Sequence, residues 1–345
     1  VVLPVMSKPE DFKLRAFCAQ VGADPMLTQA AGGNVSAKVG DELWVKASGT
    51  WLADALTRDI FVPVDLPRLR DQIQQQDYSA APVVLGPSKL RPSIETVMHA
   101  CLPHRYVVHL HSIQELSILV RDDPEPELQR SLRGASFNWC LLPYFRPGGS
   151  LSEAIAAVVT PRDDVGCLLL RNHGVVFGGE TLDHVSEMIC ETHERLRGAT
   201  RIVNSIRASE SKFEPGVTGW RSPQDRSLHD LAVHPVLLSR LQGDWALFPD
   251  HVVFLGAEPV VVSNTPSLEH LPTEAQVAFV AGEGVAIREG HKVGLEQQLK
   301  AYLHVIERQE PSQSLTSLSD EQVAELLNWD AERYRISLQE NSRGS

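Results

Sequence analysis

The run Tyr106-Val107-Val108-His109-Leu110-His111, followed some sixty residues later by Gly166-Cys167-Leu168-Leu169-Leu170 and Arg171-Asn172-His173-Gly174, decides how this chain folds. Alternate side chains of an extended strand share a face, so His109 and His111 point the same way while Leu110 packs behind them. The second run is apolar and reads as a buried strand delivering His173 to its end. Three imidazoles with open positions are what a catalytic zinc site needs, because a closed shell of four ligands leaves no room for substrate. Spacing by itself does not separate this from chance: with 13 histidines in 345 residues, a His-x-His pair arises in roughly one such chain in two. Ordinary strand histidines remain the alternative until other residues decide.

Working outward, Pro92-Ser93 reads as the opening of a helix in which Ile94, Val97, Met98 and Cys101 form one apolar stripe. Glu95 and His99 lie four apart on another shared face, where His99 suits a hydrogen-bonding partner better than a ligand. Apolar spacing predicts helices over 9–23, 113–120, 150–159 and 181–207. Strands are expected at Glu42 to Ala47 and Ala135 to Leu142, and the glycine-rich Ala30-Ala31-Gly32-Gly33-Asn34-Val35-Ser36 reads as a loop or strand turn. Residues 66–90 suit a helix end plus a surface loop, and 121–127 a charged loop. The polar stretch 208–227 reads as a linker, so 1–207 and 228–345 are the expected domains. Beyond it, strands are expected at 247–255, 259–262 and, interrupted by glycine, 278–288, with helices over 292–308 and 319–338. Pro249-Asp250-His251 reads as a strand-edge turn, and Gly282-Glu283-Gly284 is too short for a nucleotide fingerprint.

Composition narrows the function. At 43% hydrophobic residues the chain can bury an ordinary core. A net charge of −12 without a dense Lys/Arg block argues against nucleic acid and anionic membranes as partners, so an anionic substrate must be held by a local site. The start Val1-Val2-Leu3-Pro4-Val5-Met6-Ser7-Lys8 lacks a basic region before a long apolar core, and no run reaches the length of a membrane span, which makes a cytoplasmic location the expectation. Five scattered cysteines suit reduced core residues better than disulfides or a thiolate metal site.

The segments Gly32-Gly33-Asn34-Val35-Ser36, Ser48-Gly49-Thr50, Pro92-Ser93-Ile94-Glu95, His109-Leu110-His111 and Asn172-His173-Gly174, in this order, resemble the class II aldolase/adducin family, best known for fuculose-phosphate and rhamnulose-phosphate aldolases. The resemblance covers about residues 9–205. It implies a three-layer α/β/α sandwich around a mixed, largely antiparallel sheet, with a smaller α+β region after it. It further implies Zn²⁺, or another divalent ion such as Mn²⁺ or Co²⁺, on His109, His111 and His173, with Glu95 as acid/base. Gly33, Asn34, Ser48, Gly49 and Ser93 would hold a substrate phosphate, and Lys46 could add charge. The activity implied is a lyase that makes or breaks a C–C bond in a small sugar phosphate or hydroxy-acid through an enediolate, in a homotetramer with sites near subunit boundaries. Epimerases, dehydratases and decarboxylases use the same scaffold, and adducin-like relatives keep the fold as a binding module. Ile94 departs from relatives that carry a second serine there, Gly32 replaces Thr or Ser, and Tyr144 is no firm match for the proton-donating tyrosine of the fuculose-phosphate enzyme.

Overall fold

A computed structural model describes residues 8–203 and 211–329. The chain divides into two compact units: one holds Glu125–Arg197 with the described residues up to Glu115, the other Leu116–Pro124 with those from Gly198 onward.

In the first unit α1 (Lys8–Ala23) precedes β1 (Asn34–Val39), β2 (Glu42–Lys46), β3 (Phe61–Asp65), α2 (Leu66–Gln74) and α3 (Thr96–Cys101). Then come β4 (Tyr106–Leu110), the start of α4 (Ile113–Leu119), α5 (Glu125–Ser131), β5 (Asn138–Leu142), α6 (Gly149–Val159), β6 (Val165–Leu170), β7 (Gly174–Gly179) and α7 (Leu182–Leu196). The strands form one sheet in the order β3-β2-β1-β4-β7-β6-β5. Every neighbouring pair is antiparallel except β5 and β6, which α6 connects in parallel. This is the mixed, largely antiparallel sheet that the motifs implied, flanked by helices.

Burial explains the order. Every residue of β4, β6 and β7 is buried, as expected for strands covered on both faces. Met98 and Leu102 at α3 and Leu151, Ile155 and Val159 of α6 pack on Val107, Leu168, Leu170 and Val176. Leu66 and Leu69 of α2, with Val97 and Ala100 of α3, pack on Leu43, Val45 and Val64. Each such aliphatic side chain contributes roughly 1.5–3 kcal/mol. α7 lies against β4 and β7, its start capped by the Thr181 hydroxyl, which accepts from the His184 N–H at 3.1 Å.

Several local expectations need correction. α3 begins at Thr96, not at Pro92, because Ser93 to Glu95 form a turn in which the Ser93 hydroxyl accepts from the Glu95 N–H at 3.2 Å. β3 was concealed by Pro63, which is tolerated on an edge strand. Within the expected charged loop, Glu125 and Glu127 instead open α5, placing carboxylates in a helical first turn. α7 stops at Leu196, just before Gly198. The expected helix over 319–338 likewise stops early, at Leu327, while 204–207 and 330–338 of the two expected helices, residues 208–210 of the linker, and Val1 to Ser7 lie outside the described residues.

The second unit contains β8 (Trp220–Arg221), α8 (Asp230–Val233), α9 (Pro235–Gly243), α10 (Pro249–Leu255), β9 (Val261–Val262), β10 (Val277–Val280), β11 (Gly284–Arg288), α11 (Leu295–Ile306) and α12 (Asp320–Leu327). Its sheet runs β8-β11-β10-β9. The predicted strand at 247–255 is instead helix α10: Pro249 occupies a first-turn position, and all seven residues are buried. A short run buried on every side has no helical period to read. The glycine-interrupted stretch 278–288 is the antiparallel hairpin β10–β11, with Gly282 in its turn. β8, inside the expected linker, pairs with β11. Segment Leu116–Pro124 is tied in by Gln309, whose amide donates to the Ser117 carbonyl at 2.8 Å and accepts from Arg121 at 3.1 Å. No helix among the described residues is long and apolar enough to cross a membrane.

Candidate metal centre

Because β1, β4 and β7 are antiparallel neighbours, the start of β1, the end of β4 and the start of β7 meet at one end of the sheet. Asn34 pairs with His109, and His109 with Val176. His111 lies just past β4. His173 sits in the β6–β7 turn, where Asn172 adopts a left-handed φ of 53°, a conformation asparagine tolerates better than most residues. Gly174 is required there, since a Cβ would come 2.3 Å from the Leu110 carbonyl oxygen.

The structure brings His109, His111 and His173 together as one buried group whose candidate ligand atoms lie within 4.8 Å of one another. His109 Nδ1 lies 3.1 Å from the Val175 carbonyl. A carbonyl only accepts, so Nδ1 carries the proton and Nε2 presents a lone pair. His109 Nε2 and His111 Nε2 are 3.1 Å apart. The carboxylate of Glu95 spans two of the rings, with Oε2 3.5 Å from His109 Nε2 and Oε1 3.4 Å from His173 Nε2. Oε1 is buried and accepts no hydrogen bond from the described groups. Three imidazoles and one carboxylate converging in this way form the nitrogen-and-oxygen donor set of a divalent ion. The residues present therefore fit the metal that the family implies.

Burial alone would raise the Glu95 carboxyl. The opposing attraction of His109 and His173, the Asn34 hydrogen bond and His111 outweigh it and hold the group at about 2. That attraction requires positive charge on the cluster, and it is this charge that holds Glu95 as an anion. Its Oε2 accepts from the Asn34 amide at 2.7 Å.

The remaining segments lie alongside. Ser48 N–H donates to the Arg91 carbonyl at 2.9 Å and Ser93 N–H to the Lys46 carbonyl at 3.1 Å, so the two loops run side by side. These two backbone donors are therefore committed within the chain. Gly33 takes φ +65°, and a Cβ on it would lie 2.8 Å from the His109 carbonyl oxygen. The Lys46 ammonium donates to the carbonyls of Ala31 and Gly33 at 2.9 and 3.1 Å, shaping the glycine loop. Tyr144 lies in the half-buried segment after β5.

Sequence reading missed Ser36, whose hydroxyl lies 2.7 Å from His99 Nδ1. The available signal was its i+2 spacing from Asn34 on one strand face. It also missed a second cluster, in which the buried Glu115 contacts the buried Ser112 and lies 3.3 Å from Nε2 of the half-buried His193.

Residues 13–199 match the family model described as the class II aldolase and adducin N-terminal domain, and the chain belongs to that family. It is 31% identical over 234 residues to the uncharacterized oxidoreductase YuxG of Bacillus subtilis (strain 168); the match takes in 63% of this chain and 33% of that protein. The chain thus spans about a third of the length of that curated relative. Among solved structures, the N-terminal class II aldolase domain of a conserved protein from Thermoplasma acidophilum is similar at 24% identity and a TM-score of 0.48, covering 57% of this chain and 97% of that one. L-fuculose-1-phosphate aldolase from Thermus thermophilus is similar at 22% identity and a TM-score of 0.37, covering 54% and 92%.

Proposed function

We propose that the protein is a metal-dependent lyase that makes or breaks a C–C bond in a small sugar phosphate or hydroxy-acid, with Zn²⁺, or Mn²⁺ or Co²⁺ in its place, on His109, His111 and His173. The observation that carries this reading is the buried Glu95 carboxylate, set 3.4 to 3.5 Å from Nε2 of two convergent histidines. A divalent ion, when bound, supplies Lewis-acid polarisation of a substrate carbonyl. Glu95 takes or returns the proton at Oε1, while Oε2 stays on Asn34. The hydroxyls of Ser48 and Ser93, with Gly33, Asn34 and Gly49, bind the anionic end of the substrate. The active form is a homo-oligomer, a tetramer by likeness to the family.

Epimerase, dehydratase or decarboxylase chemistry would use the same ion and carboxylate, so product identity is the discriminator. A non-catalytic, adducin-like role is disfavoured because a buried carboxylate costs several kcal/mol unless matched by positive charge. The test is incubation of zinc-loaded protein with a panel of ketose phosphates and hydroxy-acids. Aldehyde release is expected. An epimer without fragments excludes the lyase, CO₂ in place of an aldehyde makes the enzyme a decarboxylase and excludes the aldol reaction, and no bound metal excludes the whole reading.

A further inference from the structure

Glu95 is held by a chain of buried groups outside the three-histidine cluster. Asn34 Nδ2 donates to Glu95 Oε2 at 2.7 Å. Asn34 Oδ1 contacts His99 Nε2, and His99 Nδ1 lies 2.7 Å from the Ser36 hydroxyl. Asn34, Ser36, Glu95 and His99 are all buried, the last two at 4% and 0% exposure. Along β1, Asn34 and Ser36 share a face, and α3 carries His99 across both.

Donor and acceptor logic fixes the direction of this chain. An ionised carboxylate only accepts, so Asn34 must turn its NH₂ toward Glu95 and its oxygen toward His99. His99 then has to donate from Nε2, which leaves Nδ1 to accept from the Ser36 hydroxyl. Burial first, and nearby positive charge after it, push His99 down to about 3 against the attraction of Glu95, so the ring stays neutral and keeps one donor and one acceptor. Reversing the amide would aim its oxygen at the carboxylate and demand a proton on Glu95.

We propose that His99, with Ser36 behind it, is a positioning residue that locks the Asn34 amide in one orientation, so that Glu95 Oε2 is anchored and Oε1 is the oxygen that exchanges the substrate proton. The proposal deepens the reading of Glu95 given above and rests on it. Asn34 presents an N–H rather than an acceptor to Oε2, so that oxygen is committed to accepting. Oε1, with no hydrogen bond from the described groups and facing His173, is left for chemistry.

Two readouts test it. Ring-nitrogen NMR of histidine-labelled, zinc-loaded protein should show His99 as the neutral Nε2–H tautomer from about pH 6 to about pH 8. Solvent-deuterium exchange into dihydroxyacetone phosphate, the smallest hydroxyketone phosphate, should fall roughly 10–100-fold in kcat for His99→Leu with KM and zinc content unchanged. His99→Gln, whose amide nitrogen reaches the Nε2 position, should restore most of the loss. An imidazolium or an Nδ1–H tautomer at His99, or equal kcat in His99→Leu and wild type, overturns the proposal. If His99→Leu does not fold, wild-type NMR with Ser36→Ala decides, since that change should release the tautomer preference. No exchange by wild type would refute the proposed function, and the NMR result would still decide the orientation of Asn34.

Discussion

His109→Ala should remove most of the zinc-dependent stabilisation, and the size of the effect follows from the geometry. His109 is fully buried, its Nδ1 proton is on Val175, and its Nε2 lies 3.1 Å from His111 and 3.5 Å from Glu95. At free zinc about 100 times Kd, the wild-type protein gains about 2.7 kcal/mol. For a domain of roughly 150–250 residues that raises the melting temperature by about 5–11 °C. Losing one of three imidazoles weakens affinity by about 100-fold at least, judged against the 10–100-fold typical of outer-sphere partners. At the same zinc concentration the gain then drops to about 0.4 kcal/mol, a shift of about 1–2 °C. Deleting the ring also leaves a cavity, which lowers the zinc-free melting temperature of the variant. The quantity to measure by differential scanning calorimetry is therefore the zinc-induced shift of each variant, not its absolute melting point. His184→Ala, an exposed histidine on α7, is the control and should keep the full shift. A full zinc shift in His109→Ala, or an equal loss in His184→Ala, would refute the assignment of the ligands.

Other predictions concern neighbouring groups. Glu95→Gln should keep one equivalent of zinc but lose about 10²–10⁴ in proton exchange with dihydroxyacetone phosphate; undiminished exchange would remove Glu95 from the chemistry. His193, desolvated yet raised overall by Glu115, contributes stability that is fully present below its ordinary value and lost as pH rises through its raised one. Glu115, lowered by the same pair despite its burial, contributes above its ordinary value and loses that contribution as pH falls through its lowered one. His193→Gln should therefore cost more urea resistance near pH 6 than near pH 9, and an equal cost at both would sink the ion-pair account. Gly174→Ala places a Cβ 2.3 Å from the Leu110 oxygen and should destabilise by about 1–3 kcal/mol while shrinking the zinc shift; an unchanged urea midpoint would contradict the close approach.

The sequence was most legible where one physical rule dominated. Alternation put His109 and His111 on one face, and the apolar run before His173 could only be a buried strand. The helix periods of α1, α6 and α11 were likewise visible. What escaped had competing signals: Pro63 in an edge strand, a seven-residue helix at Pro249–Leu255 buried on all sides, and Ser93 holding Glu95 in a turn before α3. Within the site, the motif order suggested which residues gather, but not that Asn34 would spend one amide hydrogen on Glu95 or that Lys46 would be turned onto loop carbonyls. Those outcomes depend on strand register, which no single segment encodes.

The meeting of β1, β4 and β7 at one end of the sheet also bears on how the chain acquires its metal. His111 and His173 are 62 positions apart in sequence, yet they face each other only after β7 has paired with β4. Closing a loop of that length has an entropic cost that no local helix can offset beforehand. A nascent or partly folded chain therefore offers at most the His109–His111 pair, a weak two-point chelate. Full affinity arrives together with the central strand pairing, so zinc uptake during refolding would serve as a clock for the slow, long-range step of sheet assembly.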